Sequence, residues 1–169
     1  VIKEFSDVDV VMASPHLRTM QSAGIIFPNR KIMPEPRLTE MRIGLWTMMT
    51  AAQIQALIPR EIDRFRAERL YHFKPLGGDA GLDVELRIHS LLMSLRVDFS
   101  GKVVALITHH QWLVLFQRII EGLSISETER RLHGSFLNAS VTVYEPGEVD
   151  GRSWLKPKLV NHAPWLGFI

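Results

Sequence analysis

The stretch VDVVMASPHLRTMQSA, residues 8–23, decides how the rest of this 169-residue chain is read. Its first half, VDVVMA over residues 8–13, is rich in β-branched residues and reads as a strand. Ser14 then suits a helix N-cap, and Pro15 the first helical position, where a missing N–H costs nothing. A helix is expected from about residue 15 to 27, with Leu17, Met20, Gly24 and Phe27 on one face. Arg18 lies one turn in, where the helix presents free N–H groups and the positive end of its dipole. A strand feeding such a helix is an arrangement for holding an anion.

Outward from this unit, strands and helices alternate. PNRKIMPEPRL, residues 28–38, is a Pro-rich connection with a short extended piece at Lys31–Met33. A helical region begins at Thr50 and is interrupted at Pro59; its second half, REIDRFRAER, alternates charges as a solvated face does. LGGD, 76–79, is a turn. In LDVELRIHSLLMSL, residues 82–95, Val84, Ile88, Leu91, Leu92 and Leu95 recur at helical spacing and predict one buried face. Gly101 breaks the chain before KVVALIT, an apolar run that reads as a strand buried on both faces. HHQWLVLFQRII follows as a helix ending at Gly122. Two extended segments, ASVTVYE and WLKPKLV, flank a PGEVDG turn, and VIKEF at the start reads as the tail of a helix. The pattern predicts one α/β domain over residues 1–169, a three-layer α/β/α sandwich with a mainly parallel sheet.

Composition narrows the function classes. Hydrophobic residues make up 46% and charged residues 22%, as in ordinary globular domains. There are no cysteines, which excludes disulfides, thiolate metal sites and a cysteine nucleophile. A net charge of +2 argues against a nucleic-acid scaffold, and the arginines of residues 60–69 alternate with acids. No apolar run reaches membrane-spanning length and no export signal is legible, so a cytoplasmic location is the default expectation.

The chemistry is expected where two strands end. In an open α/β sheet the functional crevice lies beyond the carboxyl ends of the strands. VVALIT runs into His109 and His110 as VDVVMA runs into Ser14 and Arg18. A guanidinium matches phosphate oxygens in bidentate fashion, and an imidazole aimed at the same point makes a phosphate cradle. Glu40, in RLTEMRIGLW, is the candidate carboxyl group for proton transfer to a leaving oxygen. His16, in the first helical turn, is expected at the rim. The adjacent His109 and His110 have no acidic or histidine residue at metal-ligand spacing, so no metal is expected.

These segments resemble, in order, those of the histidine phosphatase superfamily, the phosphoglycerate-mutase-like family. ASPHLRTMQSA is similar to its Ser-Pro-x-x-Arg-x-x-Gln-Thr-Ala segment, and PRLTEMRIGLW to its Leu-x-Glu-x-x-x-Gly-x-Trp segment. GGDAGLDVELR resembles a Gly-Gly-Glu-Ser turn with its helix, VALITHHQ the strand ending in Ser/Thr-His-Gly, and LNASVTVYE the Asn-Ala-Ser strand. The resemblance implies that Arg18 binds phosphate and that His109 stabilises the transferred phosphoryl group. It implies that Glu40 protonates the leaving alcohol and then activates water. Ser14 and His110 are carried as further phosphate contacts; capping is the other reading of Ser14, and His110 stands where the family has Gly. Neither metal nor other cofactor is needed in such a scheme.

The family's nucleophile is the histidine of an Arg-His-Gly motif at the end of its first strand. No Arg-His-Gly occurs in this sequence. The expectation is therefore a domain that lacks its first strand and most of its first helix in these residues, the nucleophile lying outside this chain. Leu45, Thr47 and Met48 also replace the Glu, Glu and Gly common in the family. The implied function is a phosphatase hydrolysing small phosphomonoesters through a phosphohistidine, with a homodimer left open. Two alternatives remain: an inactive member binding a phosphorylated ligand or a protein partner, and a phosphoglycerate mutase.

Overall fold

The structure is a computed structural model and describes residues 7–147 and 155–163. The expected helix tail at 1–5, Trp154 and most of the PGEVDG turn lie outside the described residues.

Three parallel strands form the main sheet. β1, Val10–Ala13, is the middle strand, with β2, Ile32–Pro34, on one side and β3, Val104–Ile107, on the other. Ala13 is in register with both Pro34 and Ile107, so all three strands end at one edge. The ladder continues past the ends, with Ser14 N donating to the Ile107 carbonyl at 2.9 Å and Glu35 N to the Ala13 carbonyl at 2.8 Å. β4, Val141–Pro146, and β5, Leu155–His162, pair antiparallel as a separate two-stranded sheet.

β1 is buried as its β-branched run requires: Val11, Met12 and Ala13 are almost inaccessible. β3 is not buried on both faces; every residue from Val104 to Ile107 is half-exposed. The reason is its place at the end of the three-stranded sheet, where apolar content alone does not supply a covering layer.

Among the described residues, six α-helices pack around these strands. α1 runs Leu17–Ile26, starting two residues later than the sequence predicts, because the chain bends at Pro15 and His16 has extended backbone angles. Its buried face is also different: Thr19 and Ala23 face inward and Leu17 is 74% exposed. Thr19 tolerates burial because its hydroxyl donates to the Ser14 and His16 carbonyls at 2.8 and 2.7 Å. α2, Ala51–Leu57, starts at a reciprocal Thr50–Gln53 capping box. α3, Pro59–His72, starts at the predicted proline, and Arg64 is engaged by Glu61 and Glu68 at 2.7 and 3.0 Å. That charge run is an ion-paired helix surface.

α4, Gly81–Asp98, buries the predicted Val84, Ile88, Leu91 and Leu92. α5, His110–Glu121, ends on left-handed Gly122 as expected, and α6 spans Ile125–Leu132. In the core Trp112 stacks on Phe116 with ring centres 5.3 Å apart, and Phe116 meets Tyr144 edge-on. The Trp112 indole donates to the Arg37 carbonyl at 2.7 Å, which anchors α5 beside the segment leading to Glu40. Gly44 is required after that segment: its φ is +56°, and a Cβ there would stand 2.0 Å from the Leu76 carbonyl oxygen. Among the described residues no helix is long and apolar enough to cross a membrane.

Candidate active site

Ser14 directly follows β1, with no exposed surface. It does not cap α1, whose N-cap is His16 without a side-chain bond. Its hydroxyl instead lies 2.8 Å from His109 Nε2, across 95 residues of sequence. His109 lies two residues beyond the end of β3 and serves as the N-cap position of α5. Its other nitrogen, Nδ1, is 2.9 Å from a terminal nitrogen of the Arg18 guanidinium.

That geometry assigns the protons. A guanidinium only donates, so Nδ1 is the acceptor and the ring hydrogen sits on Nε2, donating to Ser14 Oγ. Burial pushes the His109 pKa down to about 4, and the charges of Arg18 and His16 add to the effect. The imidazole is therefore neutral at pH 7. The arrangement is also the reverse of a serine-hydrolase dyad. There a carboxylate on Nδ1 leaves Nε2 free to take the serine proton; here an arginine on Nδ1 leaves Nε2 already protonated. Ser14 is a support for His109 and is not an activated nucleophile.

The depressed His109 pKa has a measurable consequence for stability. Between the ordinary value of 6.5 and about 4, the unfolded chain takes up a proton that the folded chain refuses. Stability is expected to be full above that window and to fall as pH drops through it. The loss has an upper bound of about 3 kcal/mol, reduced by the solvent open to the Arg18 side. Denaturant unfolding at neutral and acidic pH checks this: His109→Gln should show a shallower decline than the wild type.

Glu40 is brought to the start of the same helix. Its carboxylate accepts from Trp112 N at 3.1 Å, Gln111 N at 3.3 Å and its neighbour Met41 N at 3.0 Å. It thus sits over the first turn of α5, one residue beyond the His109–His110 step. His110 is engaged elsewhere, with Nε2 3.1 Å from the Arg131 carbonyl and its ring edge-on to Phe136. Thr108 donates to the Leu38 carbonyl at 2.9 Å, tying β3 to the Glu40 segment. The structure therefore brings Ser14, Arg18 and His109 into direct contact, sets Glu40 at the adjoining helix end, and turns His110 to α6.

Sequence reasoning missed a second group. Arg87 on α4 donates to the Thr39 carbonyl at 3.1 Å and to the Thr39 hydroxyl, and pairs with buried Asp79 at 3.2 Å. Asp79 also takes the Arg42 guanidinium at 2.7 Å and Arg42 N at 3.1 Å. Burial alone would raise the Asp79 pKa, but the Arg42 hydrogen bonds and the Arg87 charge outweigh it and leave it below the usual value. These three residues hold the backbone on both sides of Glu40. The one signal for them was Asp79 in the Gly-Gly turn; nothing in the spacing pointed from Arg87 to Thr39. Among the described residues no cluster of three or more histidines and acids forms a metal site.

The sequence profile of the family described as the histidine phosphatase superfamily (branch 1) matches residues 2–155. None of the curated proteins is a match. Among solved structures, Bacillus stearothermophilus YhfR is similar at 20% identity and a TM-score of 0.76, over 96% of this chain and 79% of that one. The alpha-ribazole phosphatase from Shigella flexneri has 15% identity and a TM-score of 0.75, over 90% and 73%. A mycobacterial glucosyl-3-phosphoglycerate phosphatase, solved with inorganic phosphate, has 21% identity and a TM-score of 0.71, over 96% and 81%. At such identities the structural likeness establishes the fold.

Proposed function

The chain belongs to the histidine phosphatase superfamily, and from that premise we propose that it serves a phosphatase of small phosphomonoesters. The observation that carries this reading is the 2.9 Å contact between Arg18 and His109 at the shared carboxyl edge of β1 and β3. An exposed guanidinium beside a firmly held imidazole supports binding of a phosphoryl group, and preorganised positive charge of this kind stabilises its transferring charge. Small phosphorylated substrates are supported by the neighbours named as phosphatases of alpha-ribazole and of glucosyl-3-phosphoglycerate.

In the proposed cycle, a histidine supplied from outside this sequence attacks phosphorus and forms a phosphohistidine. Arg18 leaves Nδ1 of His109 for a phosphoryl oxygen; Nδ1 then takes up a proton from solvent as the anion offsets the nearby positive charge, and donates it in a hydrogen bond to a second phosphoryl oxygen. Ser14 keeps the ring oriented. Glu40 gives a proton to the departing alkoxide and later removes one from water. His110, bound to the Arg131 carbonyl and packed on Phe136, takes no part in this cycle. The half-exposed β3, whose outer edge has no ladder partner among the described residues, supports a further strand in the complete sheet. A second reading, a non-catalytic binder of phosphorylated ligands, is favoured by the lack of Arg-His-Gly in these residues.

The test is hydrolysis of a chromogenic aryl phosphate by the full-length protein, with rapid acid-free quenching to trap an acid-labile phosphoenzyme. Turnover of the monoester with a trapped phosphohistidine is the expected result. Tight phosphate binding with neither turnover nor phosphoenzyme would establish the binder instead.

A further inference from the structure

Two imidazoles meet at the mouth of this site, and their hydrogen-bonding states are opposite. Buried His109 is occupied on both ring nitrogens, by Ser14 and by Arg18. Exposed His16 stands edge-on to it, with ring centres 5.1 Å apart and planes at 84°. Among the described residues, no hydrogen-bond partner is found for either ring nitrogen of His16; its bonds are made by the backbone, with the N–H 3.5 Å from Ser14 Oγ and the carbonyl accepting from Thr19 and Met20.

An anion taken by the exposed Arg18 guanidinium must lie on the solvent side of His109, because Ser14 closes the other side. That is the level at which the His16 ring stands. A phosphoryl group offers more oxygens than one guanidinium fork can satisfy, and the remaining ones need donors whose hydrogens are not already committed. His16 has an uncommitted ring N–H, whereas the ring hydrogen of His109 is held by Ser14. In the Ser-Pro-x-x-Arg pattern, position 16 falls on an unspecified residue, so the family resemblance assigns it nothing.

Resting on the phosphate reading above, we propose that His16 is a specificity-determining residue: its imidazole N–H binds a phosphoryl oxygen beside Arg18, so that the site selects dianionic monoesters over monoanionic diesters. A diester has one fewer unsubstituted oxygen to offer, and its alkyl group would occupy the place of the oxygen that His16 binds. The contact would form on ligand binding, without rearrangement of the Ser14–His109 support.

Calorimetric titration of the full-length protein with inorganic phosphate and with dimethyl phosphate tests this. The wild type should prefer inorganic phosphate. His16→Ala should weaken it about tenfold, the scale of one charge-assisted hydrogen bond, and change dimethyl phosphate much less. His16→Gln, which keeps an N–H donor, should recover most of the loss. His133→Ala, an exposed histidine outside the site, should match the wild type. Melting temperatures should stay together across the set, since His16 is exposed and supports no core contact.

Wild-type affinity for phosphate in His16→Ala would overturn the assignment while leaving the Arg18–His109 reading intact. A loss in His16→Gln as large as in His16→Ala would overturn the hydrogen-bonding role. Failure of the wild type itself to bind phosphate would bring down the phosphate reading, and His16 with it.

Discussion

His109→Ala is expected to lower kcat/KM for a phosphomonoester by about a hundredfold or more, the usual cost of removing one group that stabilises the charge of a transition state. The imidazole is the one group in contact with both Arg18 and Ser14. Its removal takes away the contact of Arg18 and leaves the Ser14 hydroxyl, which has no exposed surface, with only the long 3.5 Å approach of His16 N–H. The second effect should appear as a stability loss of about 1–3 kcal/mol, the cost of orphaning a buried hydroxyl. Steady-state kinetics and thermal unfolding on the same preparation separate the two. A variant that is less stable yet turns over at the wild-type rate would remove His109 from the chemistry and leave it a purely structural group.

Asp79→Ala is expected to be the most destabilising single change near the site. Asp79 is 4% exposed and takes Arg87, Arg42 and a backbone N–H together. Arg87 is itself largely shielded, with 24% of its side chain exposed. Deleting one partner of a buried pair costs about 3 kcal/mol or more, because the remaining charge stays desolvated and unpaired. For a chain of this size the melting temperature should fall on the order of 10 °C. Replacing both members, Asp79→Ala with Arg87→Met, should recover much of the loss, since no stranded charge remains. A double variant as unstable as the sum of its parts would show instead that Arg87 matters for its bonds to Thr39. Activity should fall with either single change, because Thr39 and Arg42 flank Glu40.

What was legible before the structure was local or periodic. The α4 face at Val84, Ile88, Leu91 and Leu92 followed from helical spacing, and the α5 stop followed from Gly122. The strand ends at Ala13 and Ile107 were readable from apolar runs meeting Ser-Pro and His-His, which is why Arg18 and His109 were singled out together. Three readings failed at points where a distant partner intervened. Ser14 matched a cap by residue type, but its hydroxyl is 2.8 Å from His109, 95 residues away. The α1 face was misassigned because buried Thr19 is made tolerable by carbonyls that hydropathy does not register. β3 looked doubly buried from composition, and its position at the end of the main sheet left it half-exposed.

By itself, the order of residues determined that β–α units deliver an arginine and a histidine to one edge of a parallel sheet. Periodicity and turn chemistry act over a few neighbouring residues, and that range suffices to set element type and direction. Only the tertiary structure decided what those side chains do on arrival. It set the proton on Nε2 of His109 through Arg18, closed Glu40 onto α5 across 71 residues, and turned His110 to Arg131. It also joined Asp79 and Arg87 around Thr39. Each of these is a hydrogen bond or ion pair between distant segments, and such bonds depend on ångström-scale placement that residue types and spacing do not encode.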